Sequence, residues 1–196
     1  MQDIRICFIG DSFVNGVGDS HYRGWVGRLC QLSTTPTREI TAYNLGIRRD
    51  TSVDIARRWQ TECIARLPTD SDARVVFSFG VNDTVIESNL PRVANSRSIS
   101  VARRILSAAA QNYPVLMIGP PPVDDDEQNL RIQALDAAYA DLCQAQQWDY
   151  LSIFEPLQAE PIWREEVSNN DGSHPRAAGY ALLAEMIYEW PAWWFN

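Results

Sequence analysis

Two polar segments, one near each end of the chain, carry side chains that together could catalyse acyl transfer. Ser12 completes a Gly-Asp-Ser tripeptide after an apolar run, and His174 follows Asp171 at a spacing of three. A serine hydroxyl becomes a nucleophile when a neighbouring base accepts its proton, and in most such systems that base is a histidine. The sequence contains two histidines, His21 and His174. Asp171 could hydrogen-bond the ring of His174 and fix its tautomer.

Gly46 and Asn82 could supply the donors that acyl transfer needs while negative charge develops on the substrate oxygen. A glycine N–H can approach a ligand closely, and an asparagine side chain adds a second donor. Each residue also has an ordinary structural interpretation, Gly46 as a turn after a strand and Asn82 as an Asx turn. Gly-Asp-Ser alone is more often a turn and a helix cap, and the Asp-Gly pair before His174 is a common turn. Only the combination favours catalysis.

Short apolar runs alternate with longer amphipathic stretches, which predicts an α/β protein. This alternation implies right-handed crossovers and a mostly parallel sheet covered by helices on both faces. Ligands bind beyond the carboxyl ends of strands in such a sheet, so the polar segments are expected at one rim. The predicted strands are residues 4–9, 40–45, 74–79, 115–118 and 149–153, and the predicted helices are residues 25–32, 53–67, 93–113, 129–147 and 177–188.

Length and charge exclude several classes of protein. The 196 residues predict a single domain, 1–196, that is large enough to bury a core. The formal net charge is −8 and the pI about 4.7, so the chain lacks the positive surface that nucleic-acid binding requires. All 17 basic residues are arginine, which excludes phosphate-loop lysine, Schiff-base and pyridoxal-phosphate chemistry.

Cysteine spacing and hydropathy indicate the cellular compartment in which the protein is expected. The four cysteines are scattered without a Cys-x-x-Cys pair, which favours reduced, buried thiols. With two histidines in the chain, a zinc site is not expected. The first predicted strand leaves no room for a signal peptide, and no apolar run is long enough to span a membrane. We therefore expect a cytoplasmic protein with no membrane span.

Four segments, in their order along the chain, resemble the blocks of the GDSL-like lipase/esterase family, also called the SGNH hydrolases. By this resemblance Ser12 is the nucleophile, His174 the base and Asp171 the residue that orients the base. The N–H groups of Ser12 and Gly46 and the side chain of Asn82 would form the oxyanion hole. The segments are GDS at residues 10–12, Gly46, GVND at residues 80–83 and DGSHP at residues 171–175.

The same resemblance implies a fold and a reaction. The fold would be a three-layer α/β/α sandwich around a flavodoxin-like parallel sheet of five strands. The reaction would be hydrolysis of a small-molecule ester or thioester with a small or medium acyl group, through an acyl-enzyme, without cofactor or metal. A carbohydrate O-acetylesterase is an alternative within this class. A catalytically silent flavodoxin-like binding or regulatory domain is the alternative outside it.

Two positions depart from the family's pattern, and both lie near the predicted site. Phe13 stands where leucine is usual, and Arg49 where many members have glycine. Arg48 and Arg49 follow Gly46, and the acidic run at residues 124–127 is expected at the same rim. Because the net charge is −8, we expect the acidic side to dominate and to disfavour polyanionic esters such as acyl-CoA.

The aromatic stretch WPAWWF at residues 190–195 has three interpretations. The favoured one is a tail packed over the helical layer of the sheet. The second is a homo-oligomer contact, since aromatic residues are enriched at such interfaces. The third is a membrane-surface anchor, which the absence of basic residues in the stretch disfavours.

Overall fold

The computed structural model describes residues 3–196 and contains a five-stranded parallel sheet. Its strands are β1 (Ile4–Gly10), β2 (Ile40–Gly46), β3 (Asp72–Ser78), β6 (Val115–Ile118) and β7 (Asp149–Leu151). Two short strands, β4 (Ile86–Glu87) and β5 (Leu90–Pro91), form a separate antiparallel hairpin. The order across the large sheet is β2-β1-β3-β6-β7. This is the flavodoxin-like order, so the predicted sheet is confirmed.

The register of β1 brings three strand ends to one edge of the sheet. Gly10 lies opposite Gly46 of β2 and opposite Ser78 of β3. Parallel strands present their carboxyl ends at the same edge, which is where ligands bind in open α/β sheets. The polar segments after β1, β2 and β3 therefore start side by side.

Helices cover both faces of the sheet. Ile6 and Phe8 of β1 belong to an apolar cluster with α2, α7 and α8, whereas Cys7 and Ile9 belong to a second cluster with α3 and α4. Successive side chains of a strand point to opposite faces, so the three-layer α/β/α arrangement is confirmed. The helices are α1 (Ser12–Asn15), α2 (Gly24–Ser33), α3 (Ser52–Ile64), α4 (Asn95–Ala109), α5 (Asp126–Gln146), α6 (Phe154–Ala159), α7 (Pro161–Ser168) and α8 (Ala177–Glu189).

The hairpin of β4 and β5 and the helices α6 and α7 were not predicted from the sequence. The β4–β5 hairpin turns at Ser88 and Asn89, whose φ values of 53° and 65° are left-handed. A two-residue hairpin loop favours this backbone because it matches the twist of the strands. The helices α6 and α7 follow β7, and Pro161 occupies the start of α7, where its missing N–H costs nothing. The hairpin and α7 both contribute to the neighbourhood of the site.

The acidic run begins a helix instead of lying in a loop. Asp125 caps α5 by accepting the N–H of Gln128 at 2.8 Å, so the helix starts three residues earlier than predicted. Asp126 and Glu127 lie in its first turn. Acidic side chains there interact favourably with the positive end of the helix dipole. Capping and the helix dipole therefore account for Asp125, Asp126 and Glu127.

The C-terminal aromatic stretch packs against its own chain. Trp193 and Phe195 are buried, and the indole N–H of Trp193 donates to Ser33 Oγ at 2.9 Å. The Arg74 guanidinium lies 4.6 Å from the centre of the Phe195 ring. Intramolecular packing is thus confirmed, and a homo-oligomer contact through this stretch stays a prediction. Within residues 3–196, no helix combines the length and apolar character that a membrane span needs.

Candidate active site

Ser12 stands at the carboxyl end of β1, where the chain turns into α1. Asp11 caps α1 by accepting the N–H of Phe13 at 3.0 Å. A side-chain oxygen at this position satisfies an N–H that has no partner within the helix. Ser12 is the first residue of the helix and is 4% exposed. The buried strand therefore ends on Asp-Ser because the aspartate forms the turn that presents the serine.

Gly46 allows this turn to lie against the end of β2. A Cβ atom at Gly46 would lie 2.1 Å from the backbone nitrogen of Asn15 and 2.6 Å from the carbonyl oxygen of Asp11. Both distances are shorter than any real Cβ contact, so a side chain would push the Ser12 segment away. The N–H of Gly46 donates to Asn44 Oδ1 at 3.1 Å. Close approach of backbone to backbone therefore requires the glycine.

His174 connects Ser12 to Asp171 through hydrogen bonds on its two ring nitrogens. Nε2 lies 2.7 Å from Ser12 Oγ, and Nδ1 lies 2.8 Å from Asp171 Oδ2. The other carboxylate oxygen of Asp171 accepts the backbone N–H groups of Ser173 at 3.1 Å and His174 at 2.8 Å. The aspartate thus fixes both the loop and the ring. The Phe13 ring packs beside the imidazole, with centroids 4.8 Å apart.

Glu166 of α7 anchors the far side of the His174 loop. Its carboxylate accepts the N–H groups of Arg176 at 2.8 Å, Ala178 at 3.2 Å and Gly179 at 2.7 Å. These donors stand at the start of α8, where N–H groups have no partner within the helix. The helix that follows His174 is therefore held to α7. Sequence reasoning did not identify Glu166, because the contact joins two helices across an unassigned segment.

The environment keeps Asp171 charged and His174 neutral. Burial lowers the pKa of His174 below its ordinary value, although the Asp171 carboxylate acts in the opposite direction. The Arg48 guanidinium lowers the pKa of His174 further. Burial alone would raise the pKa of Asp171, but its hydrogen bonds to His174 and Ser173 outweigh burial and lower it. A neutral imidazole beside a carboxylate is the state in which Nε2 can accept a proton.

Asn82 is fixed by a network that joins three loops. Its amide nitrogen donates to Asp11 Oδ2 at 3.3 Å and to the carbonyl of Asp50 at 3.1 Å. Arg58 of α3 bonds the Asp50 carboxylate at 2.7 Å and the carbonyl of Gly10 at 2.9 Å. The loops after β1, β2 and β3 are thereby tied together. No sequence pattern marks Arg58, because it meets Gly10 across 48 positions of the chain.

Asp11 is a buried carboxyl group in this network. Burial raises its pKa to about 7, against the opposing hydrogen bond from the Phe13 N–H. The neighbouring carboxylates of Asp83 and Asp50 raise it further, and the Asn82 amide lowers it. The Asp11 carboxyl, which accepts the Asn82 amide at 3.3 Å, thus has a pKa far above the ordinary value of an aspartate.

The predicted site residues open onto one cavity of about 270 Å³. Ser12, His174, Asp171 and Asn82 all line it. Gly46, which packs against the backbone of Asp11 and Asn15, is not among the lining residues. His21 is exposed in the loop before α2 and is not among the lining residues within the described range 3–196. The structure thus brings together four of the predicted residues and leaves His21 apart from them.

Two larger clefts lie elsewhere, along α5, α6 and α7. Their volumes are about 460 Å³ and 470 Å³, and both include Asp126 in their walls. Asp124 lines the second of them. Within residues 3–196, no member of the acidic run lines the cavity that holds Ser12. The run lies at the same rim as the site, as expected, since the N–H of Asp124 donates to the carbonyl of Gly172 at 2.8 Å, but its side chains line the neighbouring clefts and not this cavity.

The side chains of the described residues determine which metal or reaction the site could support. The four cysteines are free, and three of them are buried. Across residues 3–196 no three His, Cys, Asp or Glu side chains come together as a metal site. What the cavity presents is a serine, a neutral histidine and an amide donor, a set suited to nucleophilic chemistry on a carbonyl group.

Several known proteins are similar to this chain over most of its length, two of them in solved structure and one in sequence. A lipase/acylhydrolase from Enterococcus faecalis matches with a TM-score of 0.77 at 22% identity, covering 94% of this chain and 93% of that one. An acetylxylan esterase from Geobacillus stearothermophilus matches with a TM-score of 0.74 at 19% identity, covering 94% and 92%. The uncharacterized protein YpmR of Bacillus subtilis (strain 168) is 22% identical over 218 residues, covering 96% of this chain and 81% of its own length.

A sequence model of one family covers both the sheet and the site. The model of the GDSL-like lipase/acylhydrolase family matches residues 8–182. The matched span begins in β1 and ends in α8, and it includes Ser12, Asn82 and His174. The structural matches agree with it in fold. The chain belongs to the GDSL-like lipase/acylhydrolase family of ester-hydrolysing enzymes.

Proposed function

We propose that this protein is a single-domain serine esterase that forms an acyl-enzyme on Ser12. The observation that carries the proposal is the unbroken path from Ser12 Oγ through His174 to Asp171, with distances of 2.7 Å and 2.8 Å. The pKa of His174 is lowered, so its ring is neutral and able to accept the serine proton at pH 7. Membership of an ester-hydrolysing family supports the same reaction.

The reaction needs only these side chains and water. Ser12 Oγ attacks the ester carbonyl while His174 Nε2 takes its proton, which gives a tetrahedral oxyanion. The oxyanion collapses, the bond to the alcohol oxygen breaks, and His174 returns the proton to the leaving alcohol. A water molecule then attacks the acyl-enzyme with His174 as base, which releases the acid and restores Ser12. Asp171 stabilises the imidazolium that forms in each half.

Asn82 and the N–H of Ser12 are the oxyanion donors that we assign first. Asn82 lines the cavity, and its longest amide bond, 3.3 Å to Asp11, can be exchanged for a bond to an anionic oxygen. The N–H of Gly46 is bonded to Asn44, so it joins the oxyanion hole only when that bond opens. We therefore propose a smaller contribution from Gly46 than from Asn82.

The size of the cavity supports a small acyl group. Ligand pockets usually measure about 300–1,000 Å³, and this one has about 270 Å³. An acetyl or short-chain ester fits that volume. Hydrolysis of a carbohydrate O-acetyl ester is compatible with it, and the acetylxylan esterase of the same fold acts on such a substrate class. We keep this as the second candidate.

A fluorophosphonate probe tests the proposal against a silent binding domain. Only an activated serine reacts rapidly with such a probe. We expect one covalent adduct on the wild-type protein by intact mass, and none on Ser12→Ala. Ser173 lines the same cavity and is the matched control, so Ser173→Ala should still be labelled. Equal labelling of the Ser12 and Ser173 variants, or no labelling of the wild type, would contradict the proposal.

The pH profile follows from the environment of His174. kcat/KM for a neutral ester should fall on the acid side with an apparent pKa below about 6.5, since protonated His174 cannot accept the serine proton and its pKa is lowered. Arg48→Gln removes a positive charge and should move this limb to higher pH. Arg103, exposed on α4, provides the control, and Arg103→Gln should leave the limb in place. A limb that lies above 6.5 and does not move in Arg48→Gln contradicts the assignment, since Arg48 acts on the pKa of His174, whereas the pKa of Asp11 is set by burial and by other neighbours.

A further inference from the structure

Three arginines line the cavity that holds Ser12. They are Arg48, Arg49 and Arg92. Among the lining residues, all within the described range 3–196, Asp171 supplies the one carboxylate. The protein as a whole has a net charge of −8. Guanidinium groups are thus concentrated at the one place where a substrate must bind.

Two of the arginines, Arg48 and Arg49, are only partly neutralised by the carboxylates around them. Arg49 Nη2 lies 2.9 Å from Glu87 Oε1, and Arg92 Nε lies 3.5 Å from the same oxygen. Arg48 Nη2 stands 3.7 Å from Asp171 Oδ2, which is already bonded to the His174 ring. Arg92 also acts to lower the pKa values of Asp54 and Asp83, so its charge is better compensated than that of Arg49, which is paired with Glu87. Arg48 shares the Asp171 oxygen with the imidazole.

The backbone at Arg49 has an unusual conformation and is hydrogen-bonded by Arg92. Arg49 has a φ of 72°, a left-handed conformation that is unfavourable for a residue with a side chain. Its carbonyl accepts Arg92 Nη1 at 3.0 Å. Strained backbone of this kind clusters at ligand-binding sites, where the surrounding structure holds it.

Glu87 is a weak and replaceable partner. It belongs to the two-residue strand β4, and its side chain is 52% exposed. Arg49 is 69% exposed, and ion pairs between exposed groups contribute little to stability. An incoming anion could take the place of Glu87 at low cost, because planar guanidinium groups bind carboxylates and phosphates with paired hydrogen bonds.

We propose that the enzyme prefers esters that carry a second, anionic group, a carboxylate or a phosphate, which binds Arg49 and Arg92 while Ser12 attacks the ester. The inference rests on the proposed esterase function and names its substrate class. It reverses the expectation from net charge that neutral esters are the better substrates. Contacts within the cleft decide the preference, since the acidic run faces other clefts.

Two pairs of matched substrates test the preference and locate the anion. For an anion on the acyl side, mono-4-nitrophenyl glutarate is compared with 4-nitrophenyl butanoate. For an anion on the alcohol side, 4-acetoxybenzoate is compared with its methyl ester. We expect the anionic member of one pair to have the higher kcat/KM at low salt, with an advantage that shrinks as salt is added. A preference for the neutral member in both pairs overturns the inference but leaves the esterase proposal intact.

Arginine variants assign the preference to the cleft. In Arg49→Gln and in Arg92→Gln the ratio of anionic to neutral kcat/KM should fall by about tenfold or more, as expected for a lost charged hydrogen bond. Arg103→Gln makes the same change of charge on α4 and should leave the ratio unchanged. Arg49 is the more exposed of the two, so its variant keeps the test valid if Arg92→Gln lowers the melting temperature. An unchanged ratio in Arg49→Gln overturns the proposal.

Glu87→Gln separates substrate binding from a merely structural role. Without the competing carboxylate the ratio should rise, whereas a fall would show that Glu87 is needed to position the arginines and would overturn the proposal.

A binding measurement tests the same anion site without requiring hydrolysis. Titration calorimetry uses the amide analogues of the preferred pair: 4-acetamidobenzoate against 4-acetamidobenzamide for an anion on the alcohol side, or glutaric acid mono-4-nitroanilide against butanoic acid 4-nitroanilide for an anion on the acyl side. The anionic analogue should bind more tightly in the wild type, and its advantage should shrink in Arg49→Gln. If anion binding holds but no ester is cleaved, the esterase proposal fails and the anion site stands; equal binding in the wild type overturns the site.

Discussion

His174→Ala is expected to lower kcat by about 10⁴-fold or more while the protein stays folded. Nε2 of His174 lies 2.7 Å from Ser12 Oγ, so its removal leaves the hydroxyl without the base that activates it. The remaining rate enhancement would come from the oxyanion donors and from substrate binding alone. The measurement is steady-state hydrolysis of a 4-nitrophenyl ester, together with the melting temperature of each variant.

His21→Ala is the matched control, because the chain contains only these two histidines. His21 is exposed and donates its backbone N–H to Asp19 at 3.0 Å, a bond that alanine retains. Its kcat should therefore stay within about twofold of wild type, as for most exposed positions away from a site. Comparable losses in both variants would remove His174 from the role of base.

The three central strands of the sheet, β1, β3 and β6, were predictable because each contains a nearly continuous apolar run. Ile6, Phe8 and Ile9 of β1 are fully buried between two helical layers, and such burial requires apolar residues at consecutive positions. The hairpin of β4 and β5 and the short helices α6 and α7 have no such run. The conformation of these four elements depends on individual turn residues and on packing against the rest of the protein. A periodic sequence pattern does not contain that information.

The site was predictable as far as residue type and local spacing determine it. Asp171 reaches His174 across three positions, and this contact is local. Arg58 and Glu166 hold the same site through contacts between elements far apart in sequence. Neither stands in a motif, and either could equally be a solvated charge on a helix surface. Three-dimensional packing supplies that information.

The net charge of the protein did not predict the charge of the residues that line the cleft, and the reason is related. The total of −8 includes acidic residues that cap α5, whereas Arg48 and Arg92 come from two separate loops that fold over Ser12. Long-range steering follows the total, but contacts within a cavity follow the nearest groups. The preference for substrate charge must therefore be measured on the site itself.

Asp171→Asn is expected to reduce kcat by about 10⁴-fold without unfolding the loop. In the wild type, Asp171 Oδ1 accepts two backbone N–H groups and Oδ2 accepts the Nδ1–H of His174. Asparagine retains the oxygen that holds the loop but presents an N–H₂ group to the ring. Nδ1 must then act as acceptor, which places the proton on Nε2, where it faces Ser12 and blocks proton transfer.

The contrast between two substitutions separates this tautomer effect from loss of structure. Asp171→Asn should keep its melting temperature within a few degrees of wild type, whereas Asp171→Ala also loses the bonds to Ser173 and His174 and should melt lower. Asp141, exposed on α5, is the control, and Asp141→Asn should retain wild-type turnover. If Asp171→Asn keeps more than a tenth of the wild-type kcat, the carboxylate does not orient the base. Because Nδ1 of His174 has its hydrogen bond with Asp171 and Nε2 has its own with Ser12, a change at the first nitrogen must reach the nucleophile through the ring.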